Sequence, residues 1–554
     1  MSGVNVPNRN EHIVPRKIKP QNIVCHLMRR EHGIGQRPGT HQHTIRDFYK
    51  CIHPNLTVIN VEKPAGFLRK FSPNGQFLIG FTLDQTALEV YQFNGVAAAA
   101  KLVNAWKTEI VPNANTDLPY TIRSQIFDKL FKLKWTVNVA TAGKQLNREC
   151  SLFTNDSRYV IVGAASYIVD EQRPPFYDLY TTNDGITPTL RSPLEDYSIF
   201  CLDLHMGRVT GSINYKCDKI FLSHNQGIYL YNHLFAVLSV QHQTIYLYEV
   251  IDGVFYNILK IGRFCSEQDV YLYNLVNETQ IPVREATIGS LKHRFLVHLY
   301  RTAKAESERI NNQYPLRKFY QFFDQYRQLR IWKMQLLDEN LLLIKYASEA
   351  VVTLKAHEPN SQPAFFVFYS IRDSEVLAVY DNQSDDLLYL FENFSDSFRN
   401  TWMHHPMQFS CSPNNNLYAK LQQNRFKQTI VSARGGGVVE ATKRLLSQLP
   451  ISAQSYSNSP YLDLSLFSYD DKWVSMLERP KACGEYPIRF FGRDSGLLKF
   501  RIYPGLQDRR SQPVRRLVAF TFHPFEPFAI SVQRIDNDYV CNFHLRNSET
   551  EILK

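Results

Sequence analysis

Cysteine is scarce in this 554-residue chain, and its placing is uninformative for chemistry. The nine cysteines stand at 25, 51, 150, 201, 217, 265, 411, 483 and 541, an odd number with no Cys-x-x-Cys among them. Neither a disulfide framework nor a zinc site fits that spacing. Long apolar runs are also missing: none approaches 18 residues, and the N-terminus is polar and basic, without a signal-peptide core. The chain is therefore expected to be soluble, intracellular and reduced, so triplets such as Asn55-Leu-Thr57 carry no meaning as glycosylation sites.

The motifs of catalysis are absent as well. Gly435-Gly-Gly437 lacks the Walker spacing and its Lys-Ser/Thr, no Gly-x-Gly-x-x-Gly follows a strand, and neither His-Glu-x-x-His nor Gly-x-Ser-x-Gly occurs. His404-His405 and His41-x-His43 have no carboxylate or cysteine at metal spacing, and Cys483 has no activating partner. Asp385-Asp386 and Asp470-Asp471 suit helix-cap and turn roles. No catalytic residue, cofactor or metal is expected, and Gly435–Gly437 reads as a break between helices. Charge of one sign is in modest excess: 63 Lys and Arg against 52 Asp and Glu give +11 and a pI near 9.0. The cations are dispersed in pairs such as Arg29-Arg30 and Arg515-Arg516, as on a solvated surface.

Aromatics are abundant, with 36 Phe and 31 Tyr, and they recur in one pattern. Phe77-Leu-Ile-Gly-Phe81 is apolar on both faces, the mark of a strand buried between two sheets. Pro73-Asn74-Gly75 before it and Asp84-Gln85-Thr86 behind it are turns. An aromatic, a turn and a second aromatic six positions on appear at Phe71/Phe77, Phe153/Tyr159, Phe467/Trp473 and Phe522/Phe528. Phe71 and Phe153 lie 82 positions apart, twice the roughly 40–45 residues of a propeller blade. Such units must stack to bury both faces, so the spacing predicts a mainly β, WD-repeat-like propeller of about seven or eight degenerate blades over 51–554.

Helices interrupt the strand pattern. Pro315 opens one, read over about 315–338, with Phe319, Phe322, Phe323, Tyr326 and Leu329 on one face. Ser384 caps another over about 384–400, with Leu387, Phe391, Phe394 and Phe398 at helical spacing. A third region, about 417–449, is split by Gly435–Gly437. Residues 1–50 form a basic arm. Within it, Asn22 caps a short helix over about 22–32 that stops at Gly33. Ile23, Val24, Leu27 and Met28 make one apolar stripe, with Arg29 and Arg30 beside it. So short a helix needs a surface to dock on, either its own propeller or a partner's groove.

Long literal strings then identify the chain as a member of the De-etiolated-1 family. They include Ile451-Ser-Ala-Gln-Ser-Tyr-Ser-Asn-Ser-Pro-Tyr-Leu-Asp463, Asp494-Ser-Gly-Leu-Leu-Lys-Phe500 and Arg516-Leu-Val-Ala-Phe-Thr-Phe-His-Pro-Phe-Glu-Pro-Phe528. Others are Phe67-Leu-Arg-Lys-Phe-Ser-Pro73, Asn147-Arg-Glu-Cys-Ser-Leu-Phe-Thr154 and Trp332-Lys-Met-Gln-Leu-Leu-Asp-Glu-Asn340. The resemblance implies a non-catalytic nuclear adaptor of a cullin-4 RING ubiquitin ligase. Its expected partners are the damaged-DNA-binding adaptor, a small helper protein bound to that adaptor, a ubiquitin-conjugating enzyme and the constitutive-photomorphogenesis RING ligase. It also implies that Ile23, Val24, Leu27, Met28, Arg29 and Arg30 insert into the adaptor's cleft. One departure stands out. None of the five Trp residues is followed by Asp, so the Trp-Asp-x-Arg contact of many such receptors is missing. The rival reading is a chromatin- or nucleic-acid-binding corepressor that uses the +11 charge, with no membrane role in either case.

Overall fold

Phe77–Phe81 is a strand with all five residues buried. It pairs with Phe67–Phe71 on one side and Ala87–Phe93 on the other. Its two faces serve two different cores, as the unbroken apolar run predicts. Phe77, Ile79 and Phe81 pack with Val160, Val162 and Leu202, whereas Leu78 packs with Phe528, Ile530 and Phe543. Each such aromatic removed from water contributes about 1.5–3 kcal/mol. The computed structural model describes residues 24, 48–140, 143–168, 184–188, 193–271, 289–400, 411–484, 486–505, 516–535 and 538–547.

Within those residues the strands form six sheets, nearly all antiparallel between neighbours in sequence. Sheet 1 ends on Phe131–Asn138. Sheet 2 is built on Tyr159–Tyr167, Glu195–Asp203 and Arg208–Asp218. Sheet 3 runs Ile228–Tyr231, Leu234–Ser239, Thr244–Ile251, Val254–Ile261. Sheet 4 runs Arg330–Leu336, Leu341–Ala347, Ala364–Ser370, Glu375–Asp381. Sheet 5 has Phe467–Ser468, Ile488–Gly492 and Leu498–Ile502. Sheet 6 holds Arg516–Phe522, Ala529–Ile535 and Asp538–Leu545, and its next strand is Leu56–Val58 from the opposite end of the chain. Leu56 faces Leu545 and Val58 faces Phe543. The first described strand therefore completes the last sheet, and the architecture is a WD-repeat-like β-propeller.

The first hairpins of successive sheets are linked around one end of the ring. His523 Nε2 lies 3.0 Å from Gly75 O, joining sheets 6 and 1. Asn74 N donates to Ser157 Oγ at 3.2 Å, joining sheets 1 and 2. Asn155 Nδ2 donates to Asn232 Oδ1 at 3.1 Å, and Asn232 Nδ2 to Glu339 Oε1 at 2.9 Å, carrying the chain of contacts through sheets 3 and 4. Gly75 has φ +72°, and a Cβ there would sit 2.5 Å from the His523 ring, so this turn needs glycine twice over.

Among the described residues six sheets stand where about seven or eight blades are expected over 51–554. Helices stand between sheets 4 and 5: Asp385–Asn393, Ser395–Arg399, Leu417–Val431 and Val438–Leu446. Leu387, Phe391, Leu445 and Leu446 cover Leu343 and Phe366 of sheet 4. Ala419 packs with Leu464, Tyr469 and Met476 beside sheet 5. A helical layer thus fills the position of a further blade. The helix that holds Pro315 is Tyr314–Gln328 and stops ten residues short of the expected 338, because Arg330–Leu336 is the first strand of sheet 4. A helix absent from the sequence reading, Leu291–Ile310, is antiparallel to it, with Tyr300 against Phe319 at 5.7 Å.

Candidate functional site

Val24 is the single residue of the expected partner stripe that the structure describes; it is helical and 53% exposed. Ile23, Leu27, Met28, Arg29 and Arg30 lie outside the described residues. Two surfaces stand out among the described residues, the channel at the ring's axis and the helices carried on its rim.

The channel mouth opens among the linked hairpins as a cavity of about 500 Å³. One wall is apolar, from Phe71, Pro73, Phe522, Pro524 and Phe525. The other is polar, from the segment Ser452–Asn458 with Arg399 and Asn400. That segment is bolted across the axis. Gln454 donates to Phe153 O at 2.6 Å and accepts from Phe153 N at 3.0 Å. Asn225 Nδ2 donates to Ala453 O at 3.1 Å, and Lys70 Nζ donates to Gln454 O at 2.5 Å. Lys70 also lies 3.7 Å from Glu478, and burial holds its ammonium below the usual lysine range.

Arg399 stacks on Tyr456, 4.2 Å from the ring centroid. Asn400 ends the preceding helix in the left-handed region, at φ 53°. Its Nδ2 donates to Leu336 O at 3.0 Å and to Tyr229 Oη, while its buried Oδ1 has no partner. Sequence reading passed over Asn400, although an Asn just after a short helical run signals a left-handed cap. These groups offer hydrogen bonds and an apolar wall. Cys150, Cys201 and Cys541 are held protonated by burial, with thiols pushed up to about 12. Among the described residues no group of three His, Cys, Asp or Glu could hold a metal ion.

The helical surfaces differ in character. Residues 291–330 carry nine Lys and Arg against three Asp and Glu, more than half of the chain's net charge. Arg301, Lys304, Arg309, Arg317 and Lys318 are all exposed, with Tyr314 and Tyr320 between them. The pair Leu417–Val431 and Val438–Leu446 instead exposes Leu417, Leu421, Phe426, Val438 and Val439.

The family described as De-etiolated protein 1 (Det1) matches residues 148–547. The chain belongs to the De-etiolated-1 family. The light-mediated development protein DET1 of Arabidopsis thaliana is 30% identical over 552 residues, covering 92% of this chain and 96% of that protein. Its namesake from Solanum lycopersicum is 29% identical over 550 residues, covering 95% and 99%. Among solved structures, the β-propeller domain of Cps50 (Swd1) from Myceliophteria thermophila overlays with a TM-score of 0.31 at 8% identity, covering 88% of this chain and 99% of that one. The C-terminal WD40 domain of Sif2 gives 0.18 at 6% identity, covering 90% and 100%. Overlays this loose add nothing to the strand pairing, on which the ring architecture rests.

Proposed function

We propose that this De-etiolated-1 family member is a non-catalytic nuclear adaptor in a cullin-4 RING ubiquitin ligase, promoting ubiquitination and degradation of nuclear regulators. The observation that supports this reading is family likeness along almost the whole chain, joined to a ring that holds helices out from its rim. Ile23, Val24, Leu27 and Met28, flanked by Arg29 and Arg30, bind the damaged-DNA-binding adaptor. The helices on the rim recruit the ubiquitin-conjugating enzyme and the small helper protein, and the assembly cooperates with the constitutive-photomorphogenesis RING ligase. Ubiquitin transfer itself belongs to those partners.

Replacing Leu27 and Met28 together by Asp is expected to abolish co-purification with the adaptor while leaving the melting temperature unchanged. Undiminished co-purification sinks the arm as the contact. The basic hairpin favours one second reading, a direct nucleic-acid or chromatin contact. A duplex-DNA shift by the isolated protein that weakens steeply with salt would support it.

A further inference from the structure

Lys333 and Lys345 face each other on neighbouring strands of sheet 4. Residues paired across strands share a face with Cβ atoms about 5 Å apart, and like charges so placed destabilise the sheet. Both ammonium groups lie over the indole of Trp332, with Nζ 4.7 and 4.9 Å from its centroid. Lys345 Nζ is also 5.0 Å from the Phe366 ring, and Lys345 is only 3% exposed. Neither lysine has a hydrogen bond or ion pair with another described residue, in contrast to Lys70, which has Glu478. Aromatic faces attract a cation but do not replace its lost hydration.

The surroundings add charge of the same sign. Burial pushes Lys333 down to about 8 with Arg479 contributing, and Lys345 down to about 7 with Lys333 contributing. Two amines therefore face each other, and neither is paired with a carboxylate among the described residues.

We propose that Lys333 and Lys345, walled by Trp332, form a binding site for a phosphate-type dianion. Two negative charges match two ammonium groups better than the single charge of a carboxylate does. Compact ammonium groups suit phosphate oxygens, which need no flat two-pronged donor. The indole and Phe366 shield one side from water, where a charge pair is worth more than in bulk solvent. This site is independent of the partners proposed above.

The test uses the full chain at pH 7.5 and constant ionic strength. Inorganic phosphate is expected to raise Tm saturably by a few degrees and to slow acetylation of Lys333 and Lys345 by acetic anhydride at least fivefold, read by peptide mass spectrometry. The Lys333→Met/Lys345→Met variant is expected to start with a higher Tm, because a buried like-charge pair is gone, and to show no phosphate response. A phosphoserine peptide run in parallel separates the sources: stronger protection by the peptide assigns the site to a phosphorylated side chain, stronger protection by inorganic phosphate to the free ion. Equal protection by glutamate, an unchanged acetylation rate, or the same Tm response in the double variant overturns the proposal.

Discussion

His523 shows how one side chain both closes the ring and makes it sensitive to pH. Its Nε2–H donates to Gly75 O, while Nδ1 accepts from the backbone N–H groups of Phe525 and Glu526 at 3.1 and 2.8 Å. A proton on Nδ1 would displace both of those bonds. Burial pushes the ring down from 6.5 to about 4, and it pushes His544, held between Thr57 and Ser531, down to about 3. The unfolded chain takes up protons near 6.5 and the folded chain does not. The stability from these two residues is thus intact above pH 6.5 and is lost as pH falls from 6.5 toward 4. The slope is about 1.4 kcal/mol per pH unit for each histidine inside that window. Urea denaturation at pH 7.0 and 5.0 should show that loss, and His523→Gln should show a shallower dependence. An equal slope in the variant would remove His523 from the account.

Turn and cap residues were readable one at a time from sequence. Pro73-Asn74-Gly75 and Ser384 act as their chemistry demands, with Ser384 Oγ accepting from Leu387 N at 3.2 Å. The side-chain partners of Asn400 and the Lys333/Lys345 pairing were not readable, because they depend on residues 60 or more positions away or on strand register.

Elements with a strong apolar pattern were legible, and weakly patterned ones were not. Phe77–Phe81 announces itself because every residue is apolar. The helix Leu291–Ile310 buries only Leu291 and Phe295 of its twenty residues, and its apolar stripe, continued by Leu296 and Leu299, stops after the first half, so the pattern is too short to mark the whole helix. Phe394 fitted the helical spacing around Phe391 and Phe398, yet it sits at φ −121° between two helices and is 48% exposed. The broken spacing frees it from the core. The helical layer offers a direct contrast in energetics. Leu445, 1% exposed, faces sheet 4, and Leu445→Ala is expected to cost about 2–5 kcal/mol by the cavity it leaves. Phe426→Ser, on the outer side of the same layer and 49% exposed, is expected to stay within about 0.5 kcal/mol of wild type. Urea midpoints of the two variants check both; similar losses would mean that Phe426 packs against a partner element.

The ring as a whole was inferable from the repeat, but its composition was not. Residues 384–449 are more than long enough for another blade of roughly 40–45 residues, so spacing alone could not reveal that helices occupy that place. Closure through Leu56–Val58 was equally invisible, because a three-residue Leu-Thr-Val segment matches many strands. That closure should make unfolding a single event. Val58→Asp places a carboxylate where the side chain is 0% exposed, and it is expected to lower stability by about 4 kcal/mol or more. Far-UV circular dichroism and tryptophan fluorescence should shift together. Two separated transitions would show that the sheets do not unfold as one unit.

Strand closure also sets an order of events during synthesis. Thr57 leaves the ribosome early, yet the residue it bonds, His544, is added 487 positions later. At about 5–20 residues per second, Leu56–Val58 is without its partner strand for roughly 25–100 s. Throughout that time the nascent ring carries an open edge and a bare apolar strand, both prone to mispairing. Chaperone demand for this chain should therefore fall abruptly when the last strand emerges, rather than declining sheet by sheet.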